Sequence, residues 1–319
     1  MYGFKYNFML NGIKITYHNA LLIMGAFLLN ITMLYAQKRF DVFYVAGNYN
    51  FLKSTNINQN NYEKAWAANL SIPFLFNDSS IWLTTLDYQH YNLPNEHNTA
   101  DNPVTVFNLH GCIIRTGYIK KISSKQAIHA LFIPRVMTDF NATLGNALQL
   151  GGMVMYEKIK NKNLMWRAGV IYNQEFFGPF ITPVLYLDWH ITPTLKFAGL
   201  LPVYGKLYIE PNKNISTGLH FVGLTTSYRI NETDFENYYV QRDAIDVSAF
   251  LNLRLVSTIY VEGRIGYSLS KDYGLYAENE KATVTFPLFA IGDNRTRANN
   301  EFAGSPFMHF RLLYSLPTQ

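Results

Sequence analysis

Apolar and polar residues alternate with a period of two along most of the chain. In the stretch AWAANLSIPF, residues 65–74, every second position from Trp66 to Phe74 is apolar, and the positions between are small or polar. This is the side-chain period of a β-strand. No apolar run after Gln37 reaches the length of a membrane helix. The same alternation recurs over residues 148–157, 164–173, 246–254, 261–269 and 307–316.

The alternating segments are separated by connectors of two kinds. Each segment is long enough for a tilted strand to cross a bilayer, which takes about 9–11 residues. Short turns alternating with longer polar loops are typical of outer-membrane barrels, whose short turns face the periplasm. The sequence therefore predicts an all-β fold, a transmembrane antiparallel up-and-down β-barrel of about 12–14 strands. The short connectors lie near residues 77–80, 121–125, 160–163 and 192–194, and the long ones near 52–62, 92–103, 139–146 and 231–242.

Two segments leave the strand count open. Over residues 195–210, Pro202 interrupts the pattern and marks either a tight hairpin or a bulge. Residues 271–303 combine a predicted polar loop, KDYGLYAENEKA, with a short predicted strand, TVTFPLF, and an irregular stretch. An even number of strands would place both ends of the domain on the periplasmic side.

Composition supports strands rather than membrane helices. Aromatic residues make up 16 % and charged residues only 15 % of the chain, against about 25 % charged in soluble domains. The mean hydropathy of −0.04 is nevertheless too low for a bundle of membrane helices. The net charge of +5 is mild and does not indicate nucleic acid. Cys112 is the one cysteine, so no disulfide forms within the chain, and we expect it to be a small packing residue.

The N-terminus carries a predicted export signal. Lys5 and Lys14 precede an apolar stretch, ALLIMGAFLLNITMLYA, which ends at Ala36. A basic region followed by a short apolar run and a small residue is typical of a cleaved signal peptide. We therefore expect residues 1–36 to be a signal peptide and residues 37–319 to be a single barrel domain in the cell outer membrane.

The charged residues of the strands indicate which face looks inward. An arginine or lysine facing lipid at the bilayer centre costs about 2–4 kcal/mol, so the charged faces should line the lumen. Two interpretations of such a lumen stay open: an interior filled by ion pairs, or a channel with a slight preference for anions. The predicted lumen-facing residues are Asp87, Arg115, Arg135, Glu157, Arg167, Asp188, His190, Arg229, Asp246, Arg254, Glu262, Arg264 and Arg311.

No motif for catalysis or metal binding is present in the sequence. The eight histidines are scattered, without HxH or HExxH spacing. There is no GxSxG elbow and no phosphate-binding loop. We therefore expect no enzymatic activity, no catalytic residue, no metal and no cofactor. The expected partners are outer-membrane lipids, the barrel-insertion machinery and a small solute.

Four stretches resemble a known family. They are the signal end YAQ, the strand KAWAANLSIPFLF, the segment ITPVLYLDWHITPTLKFAGLLPVYGKLYI and the later RLVSTIYVEGRIGYSL. Together they resemble an uncharacterised outer-membrane β-barrel family, a domain of unknown function common in Bacteroidota. The resemblance covers most of the mature chain. It implies an outer-membrane barrel and brings no established substrate or site.

Several functions are compatible with these observations. The leading hypothesis is a passive channel or a binding barrel for a small solute. A structural barrel with a plugged lumen is the main alternative. A membrane-embedded lipid hydrolase could recruit His129, His190 or Ser71 from different strands, although no motif selects them. A secreted soluble β protein is the third alternative.

Overall fold

Fourteen long strands close on themselves into one antiparallel barrel. The computed structural model describes residues 39–54, 60–94, 106–231, 237–299 and 302–317, and the predicted signal peptide lies outside them. Each strand pairs with the next along the chain, and the last strand pairs with the first. The strands are β1 Arg39–Ser54, β2 Asn60–Leu75, β3 Ile81–Pro94, β4 Val106–Ser123, β5 Gln126–Phe132, β6 Gly151–Asn161, β7 Leu164–Glu175, β8 Gly178–His190, β9 Leu195–Leu201, β10 Tyr204–Asn212, β11 Ile215–Ile230, β12 Tyr238–Arg254, β13 Ile259–Ala277 and β14 Ser305–Pro317.

The register of the closing strands places both ends of the described chain together. β1 pairs with β14 from Arg39 opposite Pro317 to Asn50 opposite Phe307. The count reaches fourteen because residues 195–210 form two strands, β9 and β10, joined by a tight turn at Pro202. The upper limit of the predicted strand number is therefore confirmed.

The two ends of the barrel differ in their connections. A short turn follows each even-numbered strand from β2 to β12, and these turns share one end, the turn end, with Arg39 and Pro317. The opposite end, the loop end, carries the longer connections, although residues 176–177 and 202–203 are short turns there. The predicted short connectors are thus confirmed. The turns of the turn end span residues 76–80, 124–125, 162–163, 191–194, 213–214 and 255–258.

Side chains alternate between a covered inner face and an exposed outer face. In β8, Thr182 and Asp188 are buried, whereas Leu185 and Trp189 are exposed. Such an exposed apolar surface around a barrel is what lipid contact requires. The exposed belt includes Val45, Ile72, Leu86, Ile114, Ile128, Val154, Val170, Leu185, Leu207, Leu219, Val247, Ile265 and Leu312.

Three sequence-based expectations need correction. β12 begins at Tyr238 and β13 continues to Ala277, so parts of two predicted loops are strand. These strands have 17 and 19 residues, more than a bilayer requires. Their extensions are covered by protein on both faces, since neither Tyr239 nor its neighbour Val240 has exposed surface. The predicted strand TVTFPLF is instead part of a small hairpin, Val284–Phe286 with Phe289–Ile291. Cys112 is exposed rather than packed.

The barrel narrows toward its loop end. After β5 the pairing with β6 ends, and the next segment, Arg135–Thr138, pairs with β4 alongside β5. Thr138 also pairs with Arg229 of β11 in parallel. Six strands separate β4 from β11 around the barrel. By bridging these two strands directly, the segment gives the loop end a smaller circumference.

An apolar core fills the narrowed part. Leu93, Leu109, Met137, Tyr228 and Leu275 have essentially no exposed surface and come from five different elements. Tyr228 also accepts a hydrogen bond from Gln89 Nε2 across the barrel, at 2.9 Å. The interior at the loop end is therefore occupied by side chains of the described residues.

The remaining described elements are short. Three of them are the helix Leu144–Ala147 and the strands Leu148–Gln149 and Phe302–Ala303. None of the described helices is long and apolar enough to cross a membrane.

Candidate functional site in the barrel interior

Glu262 on β13 organises one group of charges in the interior. Its side chain has no exposed surface, and it accepts hydrogen bonds from Lys206 Nζ at 2.5 Å and from Arg264 Nη2 at 2.5 Å. Arg311 on β14 lies 3.7 Å from the same carboxylate. Arg264 Nη1 also lies 3.1 Å from His220 Nδ1, which must accept because a guanidinium only donates. Three cations from three strands thus share one buried carboxylate.

A second buried group surrounds Glu63 on β2. Lys271 Nζ lies 3.6 Å from Glu63 and 3.3 Å from Asp246, and neither Lys271 nor Glu63 has exposed surface. The Tyr273 hydroxyl donates to Glu63 and accepts a hydrogen bond from Arg242 Nε at 3.0 Å. The Tyr273 hydroxyl thereby bridges the Glu63 carboxylate and the Arg242 guanidinium.

The opposite wall carries a third network. Glu157 Oε2 accepts hydrogen bonds from Arg167 Nε at 2.6 Å and interacts with His129 Nε2 at 3.1 Å. The Arg167 guanidinium stacks 4.6 Å above the ring of Tyr186. A neighbouring pair joins Arg115 to Asp87. Stacking of this kind satisfies a cation without a second carboxylate.

A cavity of about 830 Å³, which we call the vestibule, lies at the turn end. It is formed by three turns, at residues 76–80, 124–125 and 162–163, together with the end of β8. His190 Nε2 lies 3.8 Å from Asp188 Oδ1 at its edge. Three lysines against two aspartates give its wall a slight positive charge. The ionisable residues lining it are Asp78, Lys121, Lys125, Lys162, Asp188 and His190.

A family model described as "Domain of unknown function (DUF6268)" matches residues 32–314. The chain belongs to this family. The predicted resemblance to an uncharacterised barrel family is thereby confirmed. No curated protein matches the chain.

Solved structures similar to this member of the family are outer-membrane proteins. The NanC porin is 9 % identical, with 86 % of this chain and 100 % of that chain covered and a TM-score of 0.38. The toluene transporter TodX of P. putida is 8 % identical, with 87 % and 90 % covered and a TM-score of 0.36. OmpT of Vibrio cholerae is 10 % identical, with 89 % and 99 % covered and a TM-score of 0.30. No functional conclusion follows from similarities of this size.

Most of the predicted lumen-facing residues of this family member lie in the networks just described. Arg135 is buried in the segment that narrows the barrel and pairs with Glu175 at 2.5 Å. Arg254 lies at the turn-end rim, where it donates to the Ser257 carbonyl. The others form the Glu262, Glu63 and Glu157 groups or line the vestibule: Asp87, Arg115, Glu157, Arg167, Asp188, His190, Asp246, Glu262, Arg264 and Arg311.

The prediction for Arg229 is wrong. Residues of β11 alternate, and those on the inner face include His220 and Tyr228. Arg229 is on the other face, where its guanidinium lies 4.6 Å above the Phe176 ring and 2.9 Å from Glu278. β10 pairs with β11 only as far as Val222. Beyond that residue the turn after β7 packs against β11.

Several interior residues were not predicted. Glu63 lies just beyond a predicted loop, and extending the alternation of Asn69 and Ser71 toward the N-terminus would have placed it inside. Arg242 and Lys271 were assigned to loops because β12 and β13 run beyond the length of a membrane strand. Groups of three or more metal-ligating side chains are absent from the described ranges. The interior can therefore bind polar or charged molecules through hydrogen bonds and ion pairs.

Proposed function

We propose that this protein is an outer-membrane barrel that binds a small polar solute in the vestibule and whose lumen is closed toward the loop end. One observation carries the proposal: an apolar core fills the narrowed end, while a cavity of about 830 Å³, lined by charged and apolar side chains, stays free at the turn end. That volume falls within the usual range of about 300–1,000 Å³ for small-molecule sites.

The interior supports a binding barrel better than an open pore. A water-filled passage needs a continuous polar path, whereas residues such as Leu93, Met137 and Leu275 occupy the loop end. Midway, ion pairs of the Glu262 and Glu63 groups join strands that are not neighbours, β10 with β13 and β13 with β2. Solute entering the vestibule therefore meets an ionic layer and then an apolar one.

The same proposal covers location and partners. The exposed apolar belt suits acyl chains and supports a position in the outer membrane, with the turn end facing the periplasm. Insertion by the barrel-assembly machinery is part of this proposal, as is a role that requires no enzymatic chemistry.

A stability screen tests the binding proposal. The full chain, processed and refolded in detergent, is heated with small polar solutes. A ligand at a hundredfold excess over its Kd stabilises the folded state by about 2.7 kcal/mol. Stabilisation should be lost in Asp188→Asn and Lys125→Ala, because both line the vestibule. It should persist in Lys158→Ala, because Lys158 is exposed and lies outside the vestibule.

A purely structural barrel is the second candidate, favoured by the ion-pair networks that link the strands. It predicts no stabilising solute, or stabilisation that the two vestibule variants leave unchanged. Either result would contradict solute binding in the vestibule.

A further inference from the structure

A second cavity lies deeper in the barrel, between the Glu63 and Glu262 groups. Its volume is about 160 Å³, and we call it the central cavity. Alanine side chains on three strands, Ala46, Ala67 and Ala244, leave this space because they do not reach the middle of the barrel. Since one water occupies about 30 Å³, the cavity has room for about five waters or for one small ion with its contacts.

Arg242 lines the central cavity and lacks a full set of partners. Arg242 is only 4 % exposed, and among the described residues no carboxylate forms an ion pair with it. Nε donates to the Tyr273 hydroxyl, and the guanidinium lies 4.3 Å above the Tyr91 ring. Nη1 has no hydrogen-bond partner in the described part of the chain. A buried guanidinium in this situation is costly unless an acceptor reaches it.

A second unpartnered nitrogen faces the same cavity. His309 also lines the central cavity, and its buried Nε2 is without a hydrogen-bond partner in the described ranges. Arg264 reaches the cavity from the Glu262 group. Asp246 lines the cavity too, but its carboxylate is engaged by Ser268 and by Lys271 at 3.3 Å. Of the two lining nitrogens without a partner in the described ranges, Arg242 Nη1 can only donate, and His309 Nε2 donates in the tautomer that is protonated at this nitrogen.

The net charge around the central cavity also favours an anion. The two groups beside the cavity hold five cations against three carboxylates. Of these eight residues Arg242, Arg264 and Asp246 line the cavity itself, so positive charge is in excess by either count. Asp41 does not change this balance, because it is shared between Arg311 and Arg39 at the rim. The cations are Lys206, Arg242, Arg264, Lys271 and Arg311, and the carboxylates are Glu63, Asp246 and Glu262.

We propose that the central cavity is a binding site for one small oxyanion of the size of sulfate, phosphate or acetate. The planar guanidinium of Arg242 offers the geometry that such oxygens prefer, and His309 supplies a further donor. The site goes beyond the proposed function, since it lies in the central cavity and not in the vestibule. It is tested separately, because retention of an anion in the central cavity does not depend on the vestibule.

The test is equilibrium dialysis of the refolded full chain against radiolabelled sulfate at constant ionic strength. The wild-type barrel should retain one sulfate per chain. Arg242→Gln should weaken retention about tenfold or more, because a charged hydrogen bond is lost. Ala244→Leu should weaken it as well by occupying the cavity, although it changes no charge. Lys158→Gln, which removes an exposed cation elsewhere, should bind as the wild type does.

Folding of every variant is checked by heat-modifiable gel mobility, and only folded barrels are compared. If Arg242→Gln does not fold, Ala244→Leu decides the question. Absence of retained sulfate in the wild type, or equal retention in all variants, would mean that the cavity holds only water and would overturn the proposal. If sulfate is retained while no solute binds in the vestibule, the anion site is upheld and only the proposal of solute binding in the vestibule is contradicted.

Discussion

The substitution Glu262→Gln should destabilise the barrel strongly. Glu262 has no exposed surface, and Lys206, Arg264 and Arg311 lie at 2.5, 2.5 and 3.7 Å from its oxygens. Glutamine keeps the shape of the side chain but leaves these cations without their shared carboxylate. Removing one partner of a buried ion pair costs about 3–5 kcal/mol, a large part of a total stability of about 5–15 kcal/mol.

The assay is equilibrium urea unfolding in lipid or detergent, followed by tryptophan fluorescence and gel mobility. The double variant Glu262→Gln with Lys206→Met should lose less than the sum of the two single variants, since contacting residues couple by about 0.5–3 kcal/mol. Asp78→Asn serves as the control, because Asp78 is exposed in a turn. A loss below about 1 kcal/mol for Glu262→Gln, the size of an exposed pair, would show that water rather than this carboxylate satisfies the cations.

Two further predictions concern the outer face and the loop end. Val170 lies on the exposed face in the middle of β7. Val170→Arg should lower the free energy of unfolding in urea by about 2–4 kcal/mol, and Leu164→Arg at the strand start by about 0–1 kcal/mol. Equal losses would mean that this face does not meet lipid. In the loop, hydrogen bonds from Arg295 hold the pKa of Asp293 below its usual 3.8. A lowered carboxyl pKa stabilises above the usual value, and the contribution is lost as the pH falls through the lowered one. Backbone amides of residues 292–299 should therefore be better protected from hydrogen exchange just above pH 3.8 in the wild type than in Asp293→Asn. Equal protection would contradict a stabilising bond between Asp293 and Arg295.

The fold was largely predictable because a barrel wall obeys one simple rule. Lipid outside and a polar interior impose strict alternation, so stretches such as 65–74 and 164–173 indicate both strand and face. The rule fails where its cause is absent. β13 continues to Ala277, but a bulge between Ser268 and Ser270 moves its inner face from even to odd positions, which breaks the period there. The hairpin Val284–Phe286 with Phe289–Ile291 has strand composition but does not cross the membrane.

The interior was predictable as a set of charges and not as a set of contacts. Alternation placed Glu262 and Arg264 inside, but it could not show that Lys206 of β10 reaches the same carboxylate, because this depends on register across the barrel. The narrowing by Arg135–Thr138 was also hidden, since a segment pairing with β4 and β11 has no local signature. Arg229 was misplaced for this reason.

Planar-bilayer conductance of the refolded wild-type barrel tests the central claim most directly. With the loop end filled by the core around Met137 and Tyr228, we predict inserted, folded protein that carries no steady ion current. Stable porin-like conductance steps from the same preparation would contradict a closed lumen.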